Sequence, residues 1–174
     1  PVGKDQLPHL ELTRELARRF NGLYRPVFPE PQEHLTKFPK VLGTDGRKMS
    51  KSYGNAINLS DTEPVVRQKI KTMITDPARV RRHDPGNPDV CPVFDFHKIF
   101  SPLPVIDQVN QDCRKAAIGC IDCKKLVADR VVERLAPMWD VRAALTQQPG
   151  RLDDIVEDGR RRATAVSSQT MAEV

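Results

Sequence analysis

A chain of 174 residues is long enough to bury a core, yet 39% apolar and 5% aromatic content leaves much of its area for water or a partner. No apolar run approaches the length of a membrane span, and no charged stretch followed by an apolar one opens the sequence as a leader would. Twenty-eight Lys and Arg against 23 Asp and Glu give a net charge of +5 and a pI near 9.2, compatible with a polyanionic partner without demanding one.

Pro1-Val2-Gly3 reads as the interior of a longer protein, so the chain is expected to be a fragment. Asp5 is placed to cap a helix running to about Asn21, with Leu10, Leu16, Ala17 and Phe20 near helical spacing and Pro8 in its first turn. Pro26, Pro29, Pro31 and Pro39 make residues 22–40 an irregular connector. Lys40-Val41-Leu42 predicts a short strand feeding a mobile loop over 43–56, where Gly43, Gly46 and Gly54 alternate with polar residues. Ser60 or Asp61 should cap the next helix, which has Pro64 in its first turn and Val66, Ile70 and Met73 along one face. A loop rich in Pro, Arg and Asp follows over 75–92, then helices over 94–100 and 104–115. A long helix begins near Cys120 with Val127, Val131, Leu135 and Met138 as its buried stripe and Trp139 as a packing residue. Pro137 should kink it and Pro149-Gly150 should end it. Leu152, Ile155, Val156, Ala163 and Val166 supply the apolar positions of a last helix, so the reading after residue 60 is helical throughout.

Lys48-Met49-Ser50-Lys51-Ser52 is the run that carries chemistry. When a carboxylate attacks the α-phosphate of ATP, negative charge builds on the departing pyrophosphate. Two ammonium groups on a loop that closes stabilise that charge more than they stabilise bound ATP, and such a difference accelerates a reaction. Ser50, Ser52 and backbone amides add hydrogen bonds, and the flanking glycines permit the movement. A solvated basic turn is the bland alternative for any Lys/Ser/Gly stretch.

This run is identical to the KMSKS signature loop of class I aminoacyl-tRNA synthetases. Its flanks, Gly43-Thr-Asp-Gly-Arg-Lys-Met-Ser-Lys-Ser-Tyr-Gly-Asn55, resemble the form found in tryptophanyl- and tyrosyl-tRNA synthetases. Pro1-Val-Gly-Lys-Asp-Gln6 and Pro8-His-Leu-Glu-Leu-Thr-Arg14 are similar to the tryptophanyl enzymes' Gly-Glu-Asp-Gln segment and the helix it opens. The resemblance implies catalytic roles for Lys48 and Lys51 and an ATP site formed by Gly3, Lys4, Asp5, Val41, Lys48, Met49, Ser50, Lys51 and Ser52. Lys4 stands where the family has Glu, which leaves a backbone contact at that position. It further implies a fold that is mainly α: the C-terminal remnant of a Rossmann-type α/β nucleotide-binding domain over 1–59, then a helical anticodon-binding domain over 60–174. The N-terminal HIGH-type motif and the amino-acid pocket of such enzymes lie outside this sequence, so the chain alone is expected not to activate tryptophan. ATP with Mg²⁺, tryptophan and tRNA(Trp) are the implied substrates and partners, in a cytoplasmic homodimer. A tyrosyl-tRNA synthetase fragment is one alternative; a non-catalytic RNA-binding module with a tetracysteine zinc site is another.

Cys91, Cys113, Cys120 and Cys123 are the only cysteines, spaced C-x21-C-x6-C-x2-C. Buried free thiols and a redox pair are the metal-free readings. Four cysteines with none to spare favour a tetrathiolate site. With only one close pair, the spacing fits a site closed by several segments, which iron–sulfur clusters tolerate and zinc adopts less often. A subset of bacterial tryptophanyl-tRNA synthetases carries a [4Fe–4S] cluster on cysteines in a similar pattern with a slightly longer first interval, near where the anticodon docks. That resemblance implies a cluster here that is structural or a recognition platform, with zinc as the alternative, and tRNA contacts from the neighbouring Arg114, Lys115, Lys124 and Lys125. Two further basic groups, Arg79 with Arg81 and Arg82, and Arg160 with Arg161 and Arg162, are read equally well as solvated helix faces and as contacts to a polyanion, and the sequence assigns no role to the second.

Overall fold

The computed structural model describes residues 1–174 and divides into two compact units, Pro1–Lys40 with Arg142–Val174, and Val41–Val141. Six α-helices account for the regular structure: α1 Leu7–Leu23, α2 Glu63–Thr72, α3 Pro92–Phe100, α4 Leu103–Arg114, α5 Cys120–Thr146 and α6 Pro149–Glu173. Short 3₁₀ turns stand at Lys4–Gln6, Lys51–Tyr53 and Pro88–Val90. The strand expected at Lys40-Val41-Leu42 is reduced to one antiparallel bridge between Leu42 and Lys48, because the chain turns back at once through Gly43 and Gly46.

The second unit holds the core. Val66 and Ile70 of α2 are wholly buried, Met73 just beyond it is 1% exposed, and they join Phe96 of α3, Val109 of α4 and Val127, Val131 and Leu135 of α5. Each such side chain removed from water contributes about 1.5–3 kcal/mol before the cost of ordering it. Met138 departs from the expected stripe: it is 42% exposed, and the core ends instead with Trp139, whose indole Nε1 donates to the Leu59 carbonyl at 3.2 Å. The helix α5 runs on through Pro137 to Thr146 and stops before Pro149, which opens α6 rather than ending α5. Proline suits that first-turn position, where its missing N–H has no partner to lose.

Two expected caps are replaced. Asp5 lies within a 3₁₀ turn, and Gln6 precedes α1 with no side-chain cap. Thr62 precedes α2, while Asp61 accepts from the Asn58 amide and the Lys69 ammonium at 2.8 and 2.5 Å. Burial of the Asp61 carboxyl opposes its ionisation, yet Lys69 and Asn58 prevail and its pKa is lowered.

In the first unit the proline-rich connector is fastened to α1 by specific bonds. Asn21 Oδ1 accepts from the amides of Val27 and Phe28, Arg14 Nε donates to the Pro31 carbonyl at 2.8 Å, and Phe20 stacks with Tyr24 and Phe28. Arg18 pairs with Glu30, and Arg14 with Glu33. None of the apolar positions expected to bury α6 is buried: Leu152, Ile155, Val156 and Val166 range from 43% to 70% exposed. No helix is long and apolar enough to cross a membrane.

Candidate functional site

The lysine loop is a small hairpin. Gly43 donates to the Arg47 carbonyl, Met49 to the Val41 carbonyl, and Gly46 closes the turn at φ +74°. Only a residue without a side chain holds that left-handed conformation cheaply, and a Cβ there would meet Ile74 at 2.9 Å. Lys48 and Lys51 are exposed, whereas Val41 and Met49 are half-buried and pack against the core. The hairpin thus has an apolar root and a charged edge.

One residue fastens it. Asn55 is 3% exposed; its Nδ2 donates to Asp45 Oδ1 at 2.7 Å and to the Lys48 carbonyl at 3.1 Å, and its Oδ1 accepts from the Ser50 amide at 2.8 Å. Gly43 lies against that side chain, with a Cβ there falling 2.4 Å from Asn55 atoms. Gly54, at φ +65°, turns the chain so that Asn55 can reach in. Ser50 and Ser52 hydroxyls are 2.8 Å apart on the outer side, and Arg47 lies over the Tyr53 ring at 4.7 Å. Asp45 is bound by Asn55 and Arg47, which lowers its carboxyl pKa. Sequence reasoning passed over Asn55, although a Gly-Asn pair directly after the two lysines is a recognisable turn signal.

Gly3, Lys4 and Asp5 belong to the first unit. Val2 and Lys4 amides donate to the carbonyls of His34 and Pro39, so this segment is tied to the connector. A Cβ on Gly3 would fall 2.7 Å from Asp5 Oδ1.

The four cysteines all sit at helix ends of the second unit: Cys91 caps α3, Cys113 lies in the last turn of α4, and Cys120 and Cys123 open α5. Burial first, then the neighbouring thiols of Cys91, Cys113 and Cys120, push the Cys123 thiol up to about 12. Burial likewise raises the Cys113 thiol, with Arg79 acting against it and Cys91 and Cys120 adding to it. The thiols are thus near enough to resist each other's ionisation. No group of three or more His, Cys, Asp or Glu side chains is disposed to hold a single metal ion.

Two arginines and a histidine surround these thiols. Arg79 is 9% exposed, its Nη2 donating to the carbonyls of Arg82 at 3.0 Å and Ile118 at 2.7 Å. Arg82 donates to the carbonyls of Ala116 and Ala117 at 2.7 and 3.1 Å. Together they satisfy the carbonyls of the turn between Cys113 and Cys120, where Ala116 adopts φ +56°. His97 is fully buried, with Nδ1 2.8 Å from Ser101 Oγ and Nε2 3.2 Å from the Cys123 carbonyl and 3.5 Å from its Sγ. Burial lowers its pKa, which favours the neutral ring. Arg79 thus caps backbone from a buried position and Arg82 from an exposed one. Of that group, Arg81 has a side chain without a protein partner.

The four residues expected to meet RNA separate into two kinds. Arg114 is held by Asp89 at 2.7 Å and Asn110 at 2.8 Å, and Lys124 donates to the Lys71 carbonyl at 3.1 Å. Lys115 and Lys125 are exposed with no side-chain partner in the protein.

This hairpin, with Lys48 and Lys51 exposed and its root in a helical core, carries the run that resembles the class I synthetase signature loop. The family of class I tRNA synthetases for tryptophan and tyrosine (W and Y) matches residues 1–136, and the chain belongs to it. The chain is 51% identical to the tryptophan–tRNA ligase of Thermotoga maritima over all of its own length and 53% of that protein, and 45% identical to that of Aquifex aeolicus over 44% of it. Among solved structures it resembles tryptophanyl-tRNA synthetase from Campylobacter jejuni complexed with ADP and tryptophan, at a TM-score of 0.79 and 27% identity, covering 99% of this chain and 54% of that one. The chain spans about half the length of the curated relatives it matches.

Proposed function

We propose that the chain works as the C-terminal half of a tryptophan–tRNA ligase, which joins tryptophan to tRNA(Trp) through a tryptophanyl-adenylate. The observation that carries this is the Lys48–Ser52 hairpin, with both lysines exposed on its outer edge and its root fixed by Met49 and Asn55. In the first step the tryptophan carboxylate attacks the α-phosphate of Mg²⁺-bound ATP, and pyrophosphate leaves. Lys48 and Lys51 stabilise the charge on that leaving group, with the Ser50 and Ser52 hydroxyls and nearby amides as donors. Gly3, Lys4 and Asp5 would lie against ATP, Lys4 through its backbone, and the Val41 backbone would meet the adenine. Residues 1–59 then serve the catalytic domain and 60–174 the anticodon-binding domain of a cytoplasmic homodimer. The similarity to tryptophan–tRNA ligases across the full chain supports tryptophan over tyrosine.

The test is tryptophan-dependent exchange of pyrophosphate into ATP by the full-length synthetase, compared with its Lys51→Ala variant. A large loss of rate at an unchanged ATP dissociation constant supports the leaving-group role; equal losses in both would make these ordinary binding residues.

The cysteines add a finer reading: they hold a [4Fe–4S] cluster, and Lys115 and Lys125, with Arg114 and Lys124 behind them, contact tRNA phosphates. Three features of the chain fit such a group. The candidate donor set is four thiols at the ends of three helices, the ligand type that iron–sulfur clusters take. Gly86 is buried against Cys113, where a Cβ would fall 2.6 Å from the sulfur. The Arg79 cation is turned toward the same sulfur. The cluster would supply a rigid cross-link between the ends of α3, α4 and α5 and needs no electron transfer, since aminoacylation involves none. Protein purified without oxygen should be brown, with about four irons per chain. A colourless protein with stoichiometric zinc would instead favour the zinc reading.

A further inference from the structure

We infer that Arg79 is the charge partner and N–H donor of the sulfur-bound group held by the four cysteines, a positioning residue for that site. The inference rests on the cluster reading above.

Arg79 is nine-tenths buried, and no carboxylate lies within ion-pair distance of its guanidinium. A buried cation without an anion is costly, and arginine cannot shed its charge to escape the cost. Its bonds account for only part of its donors. Nη2 is satisfied twice by backbone carbonyls, of Arg82 and Ile118. Nη1 has one neighbour able to accept, Cys113 Sγ at 3.8 Å, and Nε is the single buried side-chain nitrogen or oxygen in the chain with no hydrogen-bond partner. Nη1 therefore faces sulfur rather than oxygen, and Nε is left with no acceptor in the protein.

The backbone is shaped to keep them there. Asp76, 5% exposed, accepts from the amides of Ala78 and Asn87, folding the segment that carries Arg79 back on itself. Gly86 donates its amide to the Cys113 carbonyl, and its missing side chain leaves room for both Cys113 Sγ and the Arg79 Cδ, which would lie 2.6 and 3.1 Å from a Cβ. Arg79 and Cys120 also line one open cleft, together with Arg82, Gly119 and Asp122. A tetrathiolate cluster carries net negative charge. Its hold on the protein and its reduction potential respond to hydrogen bonds at sulfur and to nearby charge. Arg79 supplies both from one side chain.

The 174-residue chain is reconstituted anaerobically with iron and sulfide as wild type, Arg79→Gln and Arg79→Lys. Folding is followed by circular dichroism, iron by retention after desalting, and the midpoint potential by dithionite titration read by electron paramagnetic resonance. Arg79→Gln should move the midpoint to more negative values, because the reduced cluster gains a charge and has lost its cation, or should lose iron while remaining helical. Arg79→Lys keeps the charge with fewer directed donors and should shift less in the same direction. A folded Arg79→Gln with wild-type midpoint and iron retention overturns the inference. If Arg79→Gln does not fold, Arg79→Lys is judged by the same criterion. A wild-type chain that takes up no iron sinks the cluster reading itself, whereas an iron-loaded wild type with unmoved variants sinks only the role of Arg79.

Discussion

The lysine hairpin and the four-cysteine region lie in the same compact unit and are built on opposite plans. In the hairpin the charged groups face outward, while one buried amide side chain, Asn55, and a few backbone bonds hold the root. In the cysteine region the charge is turned inward: Arg79 is buried, His97 fully so, and Gly86 and Ala116 give up side-chain volume or backbone ease to let the groups meet. On the reading proposed above, the charged edge of the hairpin serves the group that leaves ATP. A site that holds four thiols together must pin its polar groups before anything binds. The first plan ties function to rate and the second ties it to stability.

The sharpest way to break that distinction is Lys51→Ala. Its exposed side chain touches nothing that supports the fold, so unfolding should change by less than about 0.5 kcal/mol. Adenylate formation by the full-length enzyme, read by single-turnover kinetics, should fall about 10²–10³-fold. Asn55→Ala should show both effects. It leaves the Ser50 amide, Asp45 and the Lys48 carbonyl without their partner, which should cost about 1–3 kcal/mol in chemical denaturation. It should also slow adenylate formation with both lysines intact. Gly86→Ala crowds Cys113 and Arg79 and should destabilise by about 1–3 kcal/mol, lowering iron retention while leaving adenylate formation as it was. A slowed first step in that variant would join the two regions functionally and end the contrast. The smallest effect has the opposite sign: Ala116→Gly relieves a left-handed residue and should raise stability by up to about 1 kcal/mol, seen as a higher melting temperature.

How much was readable beforehand followed the same division. Lys48 and Lys51 stand on an exposed loop, so their five-residue run could be recognised without any knowledge of packing. The positions of Val66, Ile70 and Met73, and of Val127, Val131 and Leu135, followed from helical spacing because each stripe meets a partner helix. Periodicity misjudged α6, whose apolar positions meet no core, and Met138, which Trp139 displaces as the last packing residue. Asp5 and Asp61 have capping chemistry, but tertiary partners and a 3₁₀ turn claimed that role's place. Arg79 was unreadable for a related reason. Its neighbours in sequence are exposed arginines, and its burial depends on carbonyls 39 residues away in a turn bent at Ala116. The cysteine spacing suggested a shared site; the contacts of Arg79 and Gly86 with Cys113 are ones that no spacing encodes.

Trp139 has a practical consequence. It is the sole tryptophan of the chain, and its indole is anchored to the Leu59 carbonyl at the foot of the segment that leaves the lysine hairpin. Its fluorescence is therefore a native optical reporter in this chain. Quenching or a spectral shift will signal when that foot detaches from α5, with no dye or engineered label required.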